Sequence, residues 1–310
     1  MSIVEKAAEK LRARAPEPAV APPALPAENV PAPVHAAPTV ERLQERRQAA
    51  EPAAPIESAP LWHVDYPRLK RLGILPDRDD AAVRLANELR RAKRPLLDNA
   101  NGKRADAPPH ADRIGVTSAI PGEGKTFTAM NLAMSLAHEP DFEVLLIDGD
   151  IPKSDTTYIL GLEDHPGLMD VLANDALHPE AVVVRTDIPN LSVIPVGKPH
   201  PLTAELFGSQ RMEFVLEQLS GVRQRRLVVF DSSPLLATPE APILAAHMGQ
   251  IVMVVAAGRT SRQEVALALS GLGGSQFVGM ILNKSHLPPG ENLPYTYYSR
   301  YHSQSPQGEA

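Results

Sequence analysis

Short, nearly continuous apolar runs mark the second two-thirds of the chain, and stretches with helical periodicity separate them. The runs are rich in Val, Ile and Leu, which is expected for strands that are covered on both faces. Strands that alternate with helices predict an α/β fold, a mostly parallel sheet flanked by helices. The predicted strands are residues 113–118, 144–148, 191–196, 227–231, 251–255 and 277–283.

The two ends of the chain differ from this region in composition. Residues 1–14 place apolar side chains on one helical stripe and predict a short amphipathic helix, which is marginal in isolation. Residues 15–60 are rich in Pro and Ala and poor in aromatic residues, which predicts a disordered, semi-rigid linker. We therefore expect one folded domain at residues 61–287, followed by a flexible tail at residues 288–310.

A helix is predicted at about residues 79–97, where apolar residues recur at helical spacing. Glu88, Arg91 and Arg94 are each three residues apart there, so they share one helix face. On spacing alone, such a face is typical of a solvated surface, on which a charge pair contributes only about 0.3–0.5 kcal/mol.

Charge and cysteine content narrow the function classes. The formal net charge of −6 and the pI near 5.9 disfavour nucleic acid as a partner, because phosphate backbones require a basic surface. The chain has no cysteine, so disulfides, thiolate metal sites and cysteine nucleophiles are excluded. It shows no leader segment and no apolar window of about 20 residues. We expect a cytoplasmic protein that reaches the inner face of the cell membrane only through a partner.

A phosphate-binding loop is predicted where the first strand meets the next helix. Gly122 and Gly124 allow backbone N–H groups to face an anion, Lys125 would hold phosphate and Thr126 would ligate Mg²⁺. Ala119 replaces the first glycine of the usual Gly-x-x-x-x-Gly-Lys-[Ser/Thr] pattern. A helix-capping turn that binds nothing is the alternative. If the loop binds phosphate, the nucleotide-binding core would cover about residues 111–287.

Two further strands end in carboxylates. Asp148 and Asp150 close the run Val-Leu-Leu-Ile-Asp-Gly-Asp, and Asp231 follows Leu-Val-Val-Phe. The carboxyl ends of parallel strands share one edge of a sheet, so we expect the three side chains to converge beside Thr126. One or two of them would bind Mg²⁺, and a remaining one could accept a hydroxyl proton. A single aspartate at a strand end is equally typical of a helix cap.

Taken together, the Pro-Gly-Glu-Gly-Lys-Thr loop, the Ile-Asp-Gly-Asp strand and the Phe-Asp-Ser-Ser-Pro strand resemble the motifs of the bacterial tyrosine kinases. Four of the six tyrosines, Tyr295, Tyr297, Tyr298 and Tyr301, form a tail cluster that completes the set, and the run from Glu88 to Arg94 is similar to the family's Glu-x-x-Arg-x-x-Arg self-association motif. The start Met-Ser-Ile-Val-Glu-Lys-Ala resembles a subgroup associated with exosortase and exopolysaccharide gene clusters. The resemblance covers roughly residues 66–301.

The resemblance implies a P-loop protein-tyrosine autokinase that uses ATP and Mg²⁺. Its catalytic residues would be Lys125, Asp148, Asp150 and Asp231, with Asp148 orienting or deprotonating the attacking tyrosine. Thr126, Asp150 and Asp231 would order the metal and its waters. The nucleotide would be bound by Pro121, Gly122, Glu123, Gly124, Lys125, Thr126 and, on the adenine side, Asn283; a strand-terminal turn residue is the alternative for Asn283.

The resemblance also implies regulation. The tail tyrosines would be phosphorylated between subunits of a homo-oligomer, possibly a ring, bridged through Glu88, Arg91 and Arg94. An activator would come from the cytoplasmic segment of a membrane polysaccharide co-polymerase, and a cognate tyrosine phosphatase would reverse the reaction. The process controlled would be exopolysaccharide or capsule synthesis. The family's Asp-x-Asp-x-Arg pattern is not complete, because Pro152 replaces the arginine and Lys153 follows it.

Two other classes remain open at this point. A partitioning or cell-division ATPase of the Par/Min type shares the loop and an acidic strand but uses ATP to switch dimerisation. Those proteins carry an extra lysine early in the loop, and this chain has Ile120 followed by Pro121 there. A non-catalytic scaffold gated by nucleotide is the second alternative, and the intact Lys125-Thr126 pair with three aspartates disfavours it.

Overall fold

A seven-stranded sheet forms the centre of the computed structural model, which describes residues 60–220, 225–274 and 276–285. The strand order is β3-β4-β2-β5-β1-β6-β7, and every pair is parallel except β3 with β4. The strands are β1 (Arg113–Ser118), β2 (Glu143–Gly149), β3 (Val184–Arg185), β4 (Leu191–Ile194), β5 (Arg226–Ser232), β6 (Gln250–Ala256) and β7 (Phe277–Asn283).

The predicted α/β fold is confirmed, since all six predicted strands are present. The fourth strand along the chain ends at Ile194, two residues earlier than predicted. The two-residue strand β3 was not predicted. Its length explains this, because two residues carry no alternation or apolar run from which a strand could be read.

The described part of the chain contains nine α-helices, of which the first two precede β1 and the others follow it. They are α1 (Tyr66–Arg71), α2 (Asp79–Ala100), α3 (Lys125–Ala137), α4 (Asp155–Leu160), α5 (Leu168–Ala173), α6 (Thr203–Phe207), α7 (Gln210–Leu219), α8 (Glu240–Ala246) and α9 (Arg262–Ser270). A 3₁₀ turn covers Pro179–Val182. Over the described ranges, no helix has the length and apolarity needed to cross a bilayer.

Each face of the sheet packs into its own apolar cluster. On one face, α2 and α3 cover Ile114, Val116 and Val229. On the other face, α5, α7 and α8 cover Leu145, Val228 and Phe230 with other residues of alternate register. Successive side chains of a strand point to opposite faces, so the central strands are apolar at nearly every position, as the sequence pattern requires.

Helix α2 is joined to the sheet by buried polar groups as well as by leucines. The Gln250 side chain, fully buried at the start of β6, accepts a hydrogen bond from Asn99 Nδ2 at 2.8 Å. It also donates to the carbonyl oxygens of Leu96 at 3.1 Å and Ala111 at 2.5 Å. Near the middle of α2, Lys93 Nζ donates to the Ser135 carbonyl of α3 at 2.7 Å. These contacts hold α2 against α3 and the start of β6.

The described chain begins by extending the β3 edge of the sheet. Trp62 forms a parallel bridge with Thr186, and its backbone N–H donates to the Arg185 carbonyl at 2.7 Å. The indole Nε1 donates to the Leu160 carbonyl at 3.0 Å, and the ring lies edge-on to His165. The Trp62 side chain packs against the core.

Several expectations concern residues outside the described ranges. The amphipathic helix at residues 1–14, the linker at residues 15–60 apart from Pro60, and the tail at residues 288–310 all lie there. The domain boundaries at residues 61 and 287 therefore remain predictions.

We predict that Gln250→Met lowers the free energy of unfolding by about 1–3 kcal/mol, because it removes the partner of the buried Asn99 amide and of the Ala111 carbonyl. Chemical denaturation measures the loss. Arg90→Met is the control, since Arg90 is exposed on the same helix and its loss should change stability by no more than about 0.5 kcal/mol. Equal losses in the two variants would contradict the role of the Gln250 contacts.

Candidate active site at the carboxyl edge of the sheet

The loop between β1 and α3 has the backbone of an anion-binding turn. Gly122 and Gly124 have φ angles of 82° and 97°, in the region that favours glycine. A Cβ at Gly124 would lie 2.1 Å from the Asn283 amide nitrogen, so no larger residue fits there. Helix α3 begins at Lys125, directly after this turn, and its first N–H groups and dipole favour a negative group beside the loop.

Glu123, between the two glycines, fastens the loop to the end of β6. Its side chain is fully buried. Oε2 accepts from the Ile120 N–H at 2.8 Å, while Oε1 accepts from the Ala256 N–H at 3.0 Å and from Thr260 Oγ1 at 2.5 Å. The carboxylate thus faces the interior of the fold, so this residue sets the shape of the loop.

The residues that follow β6 and β7 lie over the loop. Asn283 Nδ2 donates to the Glu123 carbonyl at 2.8 Å. Lys284 Nζ donates to the Gly122 carbonyl at 2.6 Å, and Arg259 also approaches that carbonyl at 3.4 Å. Two cationic side chains therefore stand beside the exposed part of the loop. Sequence patterns did not single out either of them.

Asp148, Asp150 and Asp231 come together as predicted from their strand ends. Asp148 of β2 and Asp231 of β5 are partners in the parallel register, and Asp150 follows β2 directly. All three are buried. Hydroxyl groups that the sequence did not reveal support them: Thr157 Oγ1 donates to Asp148 at 2.7 Å, and Thr156 Oγ1 donates to Asp231 at 2.9 Å. Ser233, two residues after Asp231, donates to Asp150 at 2.6 Å.

Lys125 supplies the positive charge inside this cluster. Its ammonium pairs with Asp150 Oδ2 and lies 3.8 Å from Asp231 Oδ1 and 3.3 Å from Thr126 Oγ1. Burial lowers the pKa of Lys125, but the charges of Asp231 and Asp150 outweigh this effect and raise it above its usual value. The lysine is therefore protonated throughout the neutral range.

Asp148 has an altered protonation equilibrium. Burial, followed by the charge of Asp231, raises the pKa of Asp148 to about 7. Hydrogen bonds from Thr157 and from the Asp150 N–H oppose the rise. A carboxyl group with this pKa can accept a proton near neutral pH and release it again. Burial also raises the pKa of Asp231, and the Lys125 charge opposes that shift.

The donor set fits a magnesium ion that shares its coordination with phosphate and water. Asp231 Oδ1 is buried without a hydrogen bond of good geometry, and the Thr126 hydroxyl lies near enough to Asp231 to lower its pKa. Mg²⁺ typically takes one or two protein oxygens and leaves its other positions to water and substrate phosphates. In the part of the chain that the structure describes, no three acidic or histidine side chains form a complete protein cage for a metal.

The remaining predicted site residues lie apart from this cluster or outside the description. Glu88, Arg91 and Arg94 are exposed on α2, and Arg94 approaches Asp98 at 3.7 Å. Lys153, at the position one past the missing arginine, is also exposed. The four tail tyrosines lie beyond residue 285 and outside the described ranges.

The fold and this site define a P-loop nucleotide-binding α/β protein. Comparison with known proteins narrows the class. A family model described as an AAA domain matches residues 112–267. The tyrosine-protein kinase YwqD of Bacillus subtilis (strain 168) is 34% identical over 187 residues, which cover 60% of this chain and 76% of YwqD. The tyrosine-protein kinase wzc of Salmonella typhi is 35% identical over 196 residues, 62% of this chain and 26% of wzc.

Solved structures agree on the fold. The kinase domain of the Escherichia coli tyrosine kinase ETK superposes with a TM-score of 0.58 at 24% identity, over 81% of this chain and 89% of that domain. The chain belongs to the bacterial tyrosine-protein kinases, and it is an enzyme of that class.

We predict that Glu123→Gln weakens nucleotide binding about tenfold, or by about 1.4 kcal/mol, while the fold is retained. The amide has a single acceptor oxygen, so one of the two sets of donors on Glu123 loses its partner. Titration with a fluorescent nucleotide measures the affinity, and circular dichroism checks the fold. Glu264→Gln is a matched control, because Glu264 only caps the exposed start of α9. Unchanged affinity in Glu123→Gln would refute the positioning role.

We predict that Asp148 makes the protein less stable as pH rises. The folded-state pKa is raised to about 7 from the ordinary value of 3.8, so the folded chain holds more protons than the unfolded chain between these values. The free energy of unfolding should then fall with increasing pH by up to about 1.4 kcal/mol per unit for this group. Asp148→Asn should make the slope between pH 5 and pH 8 shallower, and Asp231 would contribute what remains. An unchanged slope would contradict the shift.

Proposed function

We propose that this kinase is an ATP-dependent autokinase that phosphorylates Tyr295, Tyr297, Tyr298 and Tyr301 of its own tail, between subunits. The observation that carries the proposal is the cluster at the carboxyl edge of the sheet. A glycine turn, a lysine, a threonine hydroxyl and three buried carboxylates meet there, beside the start of α3. Phosphoryl transfer needs alignment and charge neutralisation, which this set can supply.

The loop would bind the ATP phosphates through backbone N–H groups of residues 122–126 and the ammonium of Lys125. To reach phosphate, that ammonium turns away from Asp150 and leaves its carboxylate available to a metal. Glu123 contributes through its backbone and by holding the loop. Asn283 already donates to the loop, and its place over Gly124 supports a role on the adenine side.

Thr126, Asp150 and Asp231 would hold Mg²⁺ and its waters, and the ion would neutralise charge that develops on the transferred phosphoryl group. Asp148 would take the proton of the attacking phenol. The phenol oxygen forms the new bond to the γ-phosphorus, the bond to the bridging oxygen breaks, and ADP leaves. The pKa of about 7 and the single 3.2 Å contact on Asp148 Oδ1, from the Asp150 N–H, support this assignment.

Transfer between subunits requires self-association. The exposed face of α2 that carries Glu88, Arg91 and Arg94 is the candidate surface, and helix packing leaves it toward solvent. A neighbouring chain would then receive the tail at an effective concentration of about millimolar. A ring would repeat this contact around an axis, since head-to-tail contacts close into rings.

The role in surface-polysaccharide synthesis is proposed from the resemblance to the family. We propose that the cytoplasmic segment of a membrane co-polymerase activates the kinase and that a tyrosine phosphatase resets it. The protein would act in the cytoplasm, at the inner face of the membrane when the activator binds. The Par/Min-type switch is not favoured, since relatives that are 34% and 35% identical over the aligned residues are named tyrosine-protein kinases.

The test is to incubate the purified protein with Mg-ATP at high concentration and to map phosphate by mass spectrometry. Phosphate is expected on the tail tyrosines, Lys125→Met should abolish it, and replacing all four tail tyrosines with Phe should remove most phosphotyrosine but keep ATP binding. Tyr66→Phe with Tyr158→Phe is the control, because both residues are exposed on the folded domain. ATP hydrolysis with an unmodified tail would favour the switch ATPase.

Mixing the two variants tests transfer between chains. Lys125→Met chains offer an intact tail without a working site, and the four-Phe chains offer the site without the tail. Phosphate on the Lys125→Met tail in the mixture would require transfer between chains. A wild-type protein that labels itself, together with an unlabelled mixture, would place the reaction within one chain.

A further inference from the structure

The outer strand of the sheet exposes an apolar face. Val278, Met280 and Leu282 of β7 are 36%, 65% and 63% exposed, although each is a large apolar side chain. The opposite face of β7 is covered, because Phe277 and Ile281 pack against the α2–α3 cluster. Helix α9 packs on β6 through Ala268 and leaves β7 uncovered on its own side of the sheet. Long exposed apolar edge strands invite pairing with another segment.

The same three residues present the free hydrogen-bonding groups of the edge. The Phe277 N–H donates to the Gly249 carbonyl at 2.9 Å, and the Asn283 carbonyl accepts from the Ala257 N–H at 2.8 Å, so the odd-numbered residues of β7 face β6. The N–H and C=O of a strand residue point to one side, so Val278, Met280 and Leu282 point theirs outward. Among the described residues, no strand pairs with this edge.

The chain itself continues from this edge. Residue 285 ends the described part directly after β7, and 25 residues follow it. Within them, Leu293, Tyr295 and Tyr297 alternate with Pro294 and Thr296. This alternation of large apolar or aromatic residues has the same two-residue period as the exposed face of β7. Because a short stretch of chain joins this segment to β7, its effective concentration at the edge of β7 is about millimolar.

We propose that residues 292–298 of the unphosphorylated tail pair antiparallel with β7 of the same chain, as an eighth strand. Leu293 would lie opposite Leu282, Tyr295 opposite Met280 and Tyr297 opposite Val278, the aromatic–aliphatic cross-strand pairs that stabilise sheets. Residues 284–291, which include Pro288, Pro289 and Gly290, form the reversing loop. Loop closure over eight residues costs little more than over four.

Pro294 supports this register. In it, the residues opposite Val278, Met280 and Leu282 exchange both backbone hydrogen bonds, whereas Pro294 lies opposite Ile281 in a non-hydrogen-bonded pair. The missing N–H of the proline then faces outward, where an edge strand tolerates it. It would also prevent a further strand from adding to the new edge. A register shifted by one residue would place Pro294 where β7 requires a donor.

The pairing would store tail tyrosines away from the phosphate loop of the same chain, an inference that rests on the proposed autokinase function. Asn283 marks the end of β7 that lies over the loop. An antiparallel tail carries Tyr297 toward Val278, about 16 Å from Asn283 along the strand. Phosphate on Tyr295 or Tyr297 would bring a dianion onto an apolar face and oppose the pairing.

Cysteine pairs test the register directly, because the chain has no cysteine of its own. In phosphatase-treated full-length protein without ATP, Leu282→Cys with Leu293→Cys should form an intramolecular disulfide on mild oxidation. The control pair, Leu282→Cys with Thr296→Cys, closes a similar loop but is out of register. We expect the matched pair to form at least about tenfold faster. Equal rates, failure of both pairs, or disulfide-linked dimers as the main product would each overturn the proposal.

Hydrogen exchange of the unmodified chain gives a second measurement. The amides of Val278, Met280 and Leu282 should exchange slowly in the full-length protein, and removal of residues 286–310 should speed them at least about tenfold. Unchanged exchange would overturn the pairing. Neither measurement uses ATP, so a failed kinase assay with positive cross-linking would refute the proposed function and leave the strand in place.

Discussion

Compensation of buried negative charge by one ammonium is the interaction on which this site depends. Three carboxylates lie at the same edge of the sheet, because the carboxyl ends of parallel strands meet there. Lys125 is the cation that lies among them. Removing one partner of a buried ion pair typically costs about 3–5 kcal/mol, since an uncompensated charge remains. Replacement of Lys125 should therefore lower stability as well as activity. A variant at this position needs a stability measurement beside any activity assay.

Each of the three carboxylates accepts a hydrogen bond from a different hydroxyl group. Thr157 holds Asp148, Thr156 holds Asp231 and Ser233 holds Asp150. Both oxygens of Asp148 accept hydrogen bonds from the chain, which lower its pKa, and burial outweighs them and raises the pKa to about 7. Asp231 Oδ1 is buried without a hydrogen-bond donor, as is Asp150 Oδ2, which pairs with the Lys125 ammonium.

The sequence predicted the parts of the fold that local pattern determines. Apolar runs predicted six strands, and glycine spacing with Lys125-Thr126 predicted the loop. It could not predict the direction of the Glu123 carboxylate, because two of its three donors, at Ala256 and Thr260, lie more than 130 residues away. The threonines after β2 were missed for the same reason. They follow an irregular loop, and only the packing of that loop brings them under the strand ends.

The two edges of the sheet show how the chain handles exposed backbone. At the β3 edge, the segment at Trp62 adds a bridge and hydrogen bonds, so the described chain covers that side itself. At the β7 edge, the described chain ends two residues after the strand, with apolar side chains and outward N–H groups at the same three positions. The exposed apolar side chains and the outward backbone groups occur on the same alternate residues, which favours a strand as the covering element. A helix would bury the side chains but leave the backbone groups unpaired.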